Sequence, residues 1–416
     1  MPDASPLVPD PNSTDADPAS NEVAQEVAGK VSKEVARVAV DDRIGDLIGL
    51  SHAIHGDPEL SFDEVRSSAL AADALVRGGF RVTTGTAGLP TAFVAEAGDG
   101  PLVLAICAEY DALPEVGHAC GHNIIAASAV GAGLGLLPLC DELGITVRVL
   151  GTPAEEGGGG KVLMLDAGVF ADVHAAMMIH PWATERLEAT CLAVHHFDVT
   201  FTGRTAHASA APWLGINAGD AMVIAQVALG LLRQQLPPGD QLHGVVTNGG
   251  EAANIIPARV TGRFMVRSLN MADLERLITR VRACFEAGGQ ATGAEVAFTP
   301  LAPDYSHMES DHDLLARYRA NAEALGRSFD LDDAGTAKPT LSTDMANVSL
   351  AVPTIHPLLA IESNGAVNHQ PEFAAACITP SADTAVRDGA LSMAWTAIDS
   401  ASPGPLRERL LSAQPA

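Results

Sequence analysis

Between Pro101 and His180 the chain alternates short, almost wholly apolar runs with longer segments of helical periodicity. PLVLAICA, ITVRVLG and AAMMIH read as buried strands, and NIIAASAVGAGLGLL and KVLMLDAG, which lie between them, read as helices; SSALAADALVRGGF, upstream, is a further helix. Strands apolar on both faces with helices between them imply a mostly parallel sheet covered on both sides. The pattern changes near Leu192. VHHFDVTFTG alternates like a half-exposed strand, HGVVTNGG and ARVTGRFMVRS follow as strands, and NAGDAMVIAQVALGLLRQQL and ADLERLITRVRACFEAGG are amphipathic helices. Helix, strand and loop alternation resumes after about Asp304.

A chain of 416 residues exceeds what one core usually holds. The expected architecture is therefore an α/β catalytic domain (residues 21–191 and 305–402) interrupted by an α+β lid at 192–304. Residues 1–20, acidic and Pro-rich, and 403–416 are expected to be tails. Apolar residues at helical spacing from Asn21 to His55 predict a helical region, with Ser20 or Asn21 as its cap.

The formal charge of -26 argues against nucleic acid or an anionic membrane as partner. The apolar run from Ala126 to Leu139 is interrupted by Gly and Pro and reads as too short to span a bilayer. The N-terminus has neither the basic nor the apolar region of a signal peptide, and the six scattered cysteines read as reduced thiols. A cytoplasmic protein is expected.

In an open α/β sheet, ligands bind beyond the carboxyl ends of the strands. Glu109-Tyr110-Asp111 and GHACGHN follow one strand, GTPAEEGGGGK the next, and His180 ends the third; VNHQPEF lies in the returning segment. A thiol, imidazoles and paired carboxylates are the ligand set of Zn²⁺ or a related divalent ion. Of two adjacent acids, one can bind metal while the other takes a proton from water. Joint placement at strand ends singles out Cys120, His122, Glu156, His180 and His369 as metal candidates. His52, His55, His174, His195, His196, His243, His307 and His312 read as structural. Gly157 to Gly160 and Lys161 lack the spacing and the Ser/Thr of a P-loop, which excludes that nucleotide site.

Seven ordered fragments, EYDALPEVGHACGHN, GTPAEEGGGGK, MMIHP, GRTAHAS, EAANIIPARV, STDMANVS and NHQPEF, resemble the metal-dependent amidohydrolase and metallopeptidase family of carboxypeptidase G, aminoacylases and hippurate hydrolase. The resemblance spans about Leu47 to Ser400. It is nearest to the p-aminobenzoyl-glutamate hydrolase and β-alanyl-lysine dipeptidase-like branch. It implies two divalent metal ions, Zn or Mn with Co as a further candidate, held by Cys120, His122, Glu156, His180 and His369, with Cys120 at the place of a bridging Asp. It further implies Glu155 as general base, His207 as an oxyanion donor reaching the partner subunit's site, and Asn254, Arg267 and His356 at the substrate. Asp344 and His118 would orient ligands, and Asp111 would orient a ligand or hold its loop. The implied activity is hydrolysis of the amide of a dipeptide or N-acyl amino acid with a free carboxylate, by a homodimer paired through the lid. An aminoacylase or deacetylase, a non-catalytic binder of the same fold, and a mixed assembly with a sister subunit are the alternatives.

Overall fold

A computed structural model describes residues 18–413. The expected tails, 1–20 and 403–416, lie outside these residues at 1–17 and 414–416. Within them, a helix already starts at Pro18 and another, Pro405–Ser412, occupies the second tail.

The larger domain is built on a six-stranded sheet. Its strands are β1 (Arg81–Thr84), β2 (Phe93–Ala97), β3 (Leu102–Ala108), β4 (Ile145–Gly151), β5 (Ala175–Met177) and the short strand Thr354–Ile355, in the spatial order β1, β2, β4, β3, β5, Thr354–Ile355. The pairings from β4 through Thr354–Ile355 are parallel, whereas β1 and β2 run antiparallel along one edge. The wholly buried β3 fits its unbroken apolar run.

Helix His122–Leu136 is buried along its whole length and packs against helices Pro380–Ala401, Ile44–His55 and Pro18–Asp41. The helical stretch His122–Leu143 does reach membrane-spanning length and hydropathy, contrary to the reading of its sequence, because the Pro and Gly do not end it. Burial at the centre of the domain accounts for its apolar character. The AAMMIH segment also departs from a single strand. It leaves the sheet after Met177 and re-forms as His180–Trp182 beside Leu358–Ala360, which turns His180 away from the sheet and toward the loops.

The second unit is an antiparallel sheet in the order Glu295–Pro300, Ala193–Thr202, Arg259–Ser268, Gln241–Asn248. Alternation puts Ala193, Phe197, Val199 and Phe201 on the face covered by helices Ala218–Arg233 and Met271–Thr292. The helices begin at Asn217 and Asn270, whose side chains accept from the first-turn N–H groups.

Candidate active site

The loops after β3, β4 and β5 converge, as the strand-end rule requires. After β3 the chain runs to Gly121, which has φ 76° and starts helix His122–Leu136. That left-handed turn sets Cys120 and His122 on either side of it. A Cβ at Gly121 would lie 2.9 Å from the Pro181 ring, so the turn packs directly on the segment that carries His180.

Asp111 ties two loops together. Its Oδ1 is 3.0 Å from His122 Nδ1, and its Oδ2 accepts from the Glu156 N–H at 3.0 Å and from Ser61 Oγ at 3.2 Å. His122 therefore directs Nδ1 toward Asp111 and leaves Nε2 free to bind. Ala154, just before the acidic pair, holds φ 59° and donates its N–H to Glu64 Oε1 at 2.9 Å; Thr91 Oγ1 donates to the other Glu64 oxygen at 2.9 Å. His369 holds φ 70°, and its N–H donates to the Ala119 carbonyl at 3.0 Å, docking the NHQPEF loop on the HACGH loop. Strained backbone of this kind persists only where the surroundings hold it.

The side chains close up accordingly. Ligand atoms of Cys120, His122 and His180 lie within 4.8 Å of one another, as do those of Cys120, Glu156 and His369, and those of His122, Glu155 and Glu156. Cys120, His122 and Glu156 each belong to two of these groups, so the groups overlap as one cluster. His122 Nε2, Glu156 Oε1 and Glu109 Oε2 are buried without a hydrogen-bond partner. Orphaned buried donors and acceptors are costly, and a divalent cation satisfies such atoms together; the residues present fit a metal centre.

The electrostatics agree. Burial, and then the facing carboxylates of Glu109, Glu156 and Asp344, push Glu155 well above the usual carboxylate range. Burial also raises the Cys120 thiol, with Glu156 adding to the effect. Burial pulls His122 down, but Asp111, Glu109 and Glu156 outweigh it and hold the ring well above an ordinary histidine. His180 is driven well below by burial and by His356 and His122. In this buried place the thiol and the carboxylates would need a cation beside them to stay deprotonated.

Behind Glu155 sits a group that sequence reasoning missed. Lys161 is fully buried, and its Nζ bonds Glu109 and, at 2.6 Å, Asp344 Oδ1, while its N–H donates to Asp344 Oδ2 at 2.9 Å. Asp344 therefore orients Lys161 and bonds none of the five metal candidates. His118 bonds none of them either; its ring lies beside His55, with centroids 6.0 Å apart. Glu64, which steadies the turn before Glu155, was also missed. Tyr305 Oη donates to the Glu155 carbonyl at 2.6 Å.

His356 is buried with Nε2 unpartnered, its ring centroid 5.5 Å from that of His180, and burial pushes it down to about 4. His207 and Asn254 fall elsewhere. Both lie on exposed loops of the lid, joined by the Ala208 N–H to the Asn254 carbonyl at 3.0 Å, and His207 belongs to none of the donor groups among the described residues. Arg267 lies on the lid strand Arg259–Ser268.

A two-domain α/β fold carrying a clustered thiol, imidazole and carboxylate site, with an acid free to move a proton, defines a metal-dependent amide hydrolase. Residues 194–292 match the peptidase dimerisation domain of the M20 family. The chain is 37% identical to a mouse Xaa-Arg dipeptidase over 88% of each chain. It is 33% identical to one of the subunits of p-aminobenzoyl-glutamate hydrolase from Escherichia coli K12, over 59% of this chain and 56% of that one. Its fold matches a dinuclear metal-binding peptidase of the M20 family from Bacillus subtilis with TM-score 0.63 and 22% identity, covering 86% of this chain and 99% of the other. It also matches an aminobenzoyl-glutamate utilization protein from Klebsiella pneumoniae with TM-score 0.70 and 18% identity, over 86% and 97%. The chain belongs to the M20 peptidase family.

Proposed function

We propose that this enzyme hydrolyses a dipeptide with a free C-terminal carboxylate, and that Cys120, His122, Glu156, His180 and His369 are the residues that would hold two divalent ions. The observation that carries the site is that the donor atom of Cys120 lies within 4.8 Å both of those of His122 and His180 and of those of Glu156 and His369, so that it links all five candidates. The mouse relative is named for Xaa-Arg dipeptides, so dipeptides ending in a basic residue are the first substrates to test. Thiolate ligation favours Zn²⁺, with Mn²⁺ and Co²⁺ as the alternatives.

Bound metal supplies a Lewis acid for the amide carbonyl and lowers the pKa of water. Glu155 takes the proton from the attacking water and later delivers it to the leaving amine. Nothing among the described residues hydrogen-bonds its side-chain carboxylate, which leaves both oxygens free for that exchange. Arg267 binds the substrate carboxylate as a guanidinium fork, with Asn254 and His356 as further substrate contacts. The exposure of His207 suits a donor that works in trans: its Nδ1 accepts from the Ser209 and Ala210 N–H groups at 3.3 and 3.2 Å, leaving Nε2 to stabilise the oxyanion across a homodimer paired through the lid. We also infer a cytoplasmic location from the acidic composition and the free thiols.

The test is a mass-spectrometric screen of chelated and metal-reloaded protein against β-alanyl-lysine, alanyl-arginine, N-acetyl amino acids and p-aminobenzoyl-glutamate. Cleavage of a dipeptide only by reloaded protein supports the reading. Cleavage of the N-acetyl amino acids alone would replace it with an aminoacylase, and metal binding without any cleavage would favour a binding role or a missing sister subunit.

A further inference from the structure

In a chain with twice as many acids as bases, Arg267 is a half-buried guanidinium with neither an acid nor a carbonyl beside it among the described residues, whereas Arg43 and Arg407, half-buried and also without an ion pair, bond backbone carbonyls. Among the described residues Arg267 forms no ion pair, and its Nε donates only to Met265 Sδ, at 3.1 Å. Arg263, four residues earlier on the same strand and face, is paired with Asp198 at 2.8 Å. The contrast makes Arg267 a cation held for something outside the chain.

The ladder shows where that cation points. Residues directly opposite in antiparallel strands project to the same face. Arg267 is opposite Val194, and Val194 is in turn opposite Tyr305, with backbone hydrogen bonds of 2.9 and 3.1 Å between the latter two. Tyr305 reaches the Glu155 carbonyl from that row. Arg267 therefore shares a face with the tyrosine that touches the proposed base, on the side of the lid sheet opposite its two helices.

The next row holds the second group. His196 lies opposite Met265, the residue over which the Arg267 side chain folds, so the guanidinium bends toward the imidazole. His196 Nε2 is buried and has no hydrogen-bond partner. Burial, and then the charge of Arg267, hold the ring neutral by lowering its pKa. Two polar groups with no oxygen acceptor among the described residues, side by side on one face, make a receptor for an anion. Nothing in the sequence separates His196 from the seven other histidines read as structural.

We propose that His196 joins Arg267 in binding the free carboxylate of the substrate's C-terminal residue, and that this pair makes the enzyme select acids over carboxamides. The inference rests on the dipeptide reading above.

The experiment compares β-alanyl-lysine with β-alanyl-lysinamide, and product inhibition by lysine with that by lysinamide, in metal-loaded wild type, His196→Ala, His196→Gln and Arg267→Lys. His196→Ala is expected to raise KM for the acid and the inhibition constant of lysine at least tenfold, with the values for the amides unchanged. His196→Gln, which restores a donor, is expected to recover part of the loss. Equal effects on acid and amide, or no effect on either, would overturn the role of His196 while leaving the dipeptidase reading intact. Wild type that cleaves β-alanyl-lysine and alanyl-arginine not at all overturns both. Should His196→Ala fail to fold, His196→Gln and Arg267→Lys carry the comparison: both must lower the preference for the acid.

Discussion

Replacing Gly121 by alanine tests how the protein presents its thiol and imidazole. Two costs follow from the structure. At φ 76° an L side chain pays about 1–2 kcal/mol for the left-handed conformation. The new Cβ would also lie 2.9 Å from Cβ and Cγ of Pro181 and 3.3 Å from Cys377 Sγ, a packed wall of ring and core thiol, and overpacking of this kind costs about 1–3 kcal/mol. The sum is about 2–5 kcal/mol. If the turn keeps its shape, the loss appears in folding; if it relaxes, Cys120 and His122 move and the loss appears in metal affinity, where it corresponds to roughly 30-fold to a few thousand-fold. Urea unfolding of metal-free protein and competition for Zn²⁺ against a chromophoric chelator measure the two separately. Gly157→Ala is the control: Gly157 has no left-handed φ and nothing within 4 Å of an added Cβ, so the change should be neutral or stabilising by up to about 1 kcal/mol. Wild-type unfolding and wild-type Zn²⁺ affinity in Gly121→Ala would refute the idea that this turn is needed to present the ligands.

Glu155→Gln should lower kcat by about 10²–10⁴ while metal content, measured by mass spectrometry of digested protein, stays at the wild-type level. Lys161→Met leaves Glu109 and Asp344 buried without their ammonium and should cost about 3–5 kcal/mol in urea unfolding, part of it recovered when Glu109→Gln is added. Glu185, away from the metal candidates, is raised from 4.5 to about 7 by burial, against the pull of Arg327. Its folded form keeps a proton that the unfolded form has already lost, so its contribution is intact below about pH 4.5 and stability falls as pH rises through about 7. Glu185→Gln should remove that slope, giving a gain on the order of 3 kcal/mol at pH 8 and little difference near pH 4.5, read from urea unfolding at both values.

The candidate ligands are legible in the sequence because one rule of α/β architecture places them. Cys120, His122, Glu155, Glu156 and His180 all follow the ends of apolar runs, and the runs themselves identify parallel strands. The supporting groups carry no such mark. Lys161 looks like the remnant of a phosphate loop, and its partners Glu109 and Asp344 stand 52 and 183 residues away in the chain. Glu64 is one acid among many, and only folding brings it to the Ala154 N–H, 90 residues on. The antiparallel edge escapes notice for a different reason: β1 is four residues long and mostly exposed, so it has too little apolar pattern to read.

Local strain and long-range anchoring belong together in this site. Left-handed residues stand on three separate loops: Gly121 between Cys120 and His122, Ala154 before the acidic pair, and His369 itself. Each is secured from outside its own loop, Gly121 by the Pro181 ring, Ala154 by the Glu64 carboxylate and His369 by the Ala119 carbonyl. Gly121 adopts this conformation without a steric cost, whereas Ala154 and His369 each pay about 1–2 kcal/mol for it and would relax if their loops were free. Cross-anchoring makes relaxation of one loop conditional on the others, because the Pro181 that blocks Gly121 follows His180 and the Ala119 that holds His369 precedes Cys120. The five candidate ligands are thus fixed as one body by contacts that no ion supplies, which is how a protein holds donors in place before a metal arrives. The groups behind the acidic pair are tied in the same way: Asp111 accepts from the Glu156 N–H, and the Lys161 ammonium offsets the buried charge of Glu109 and Asp344.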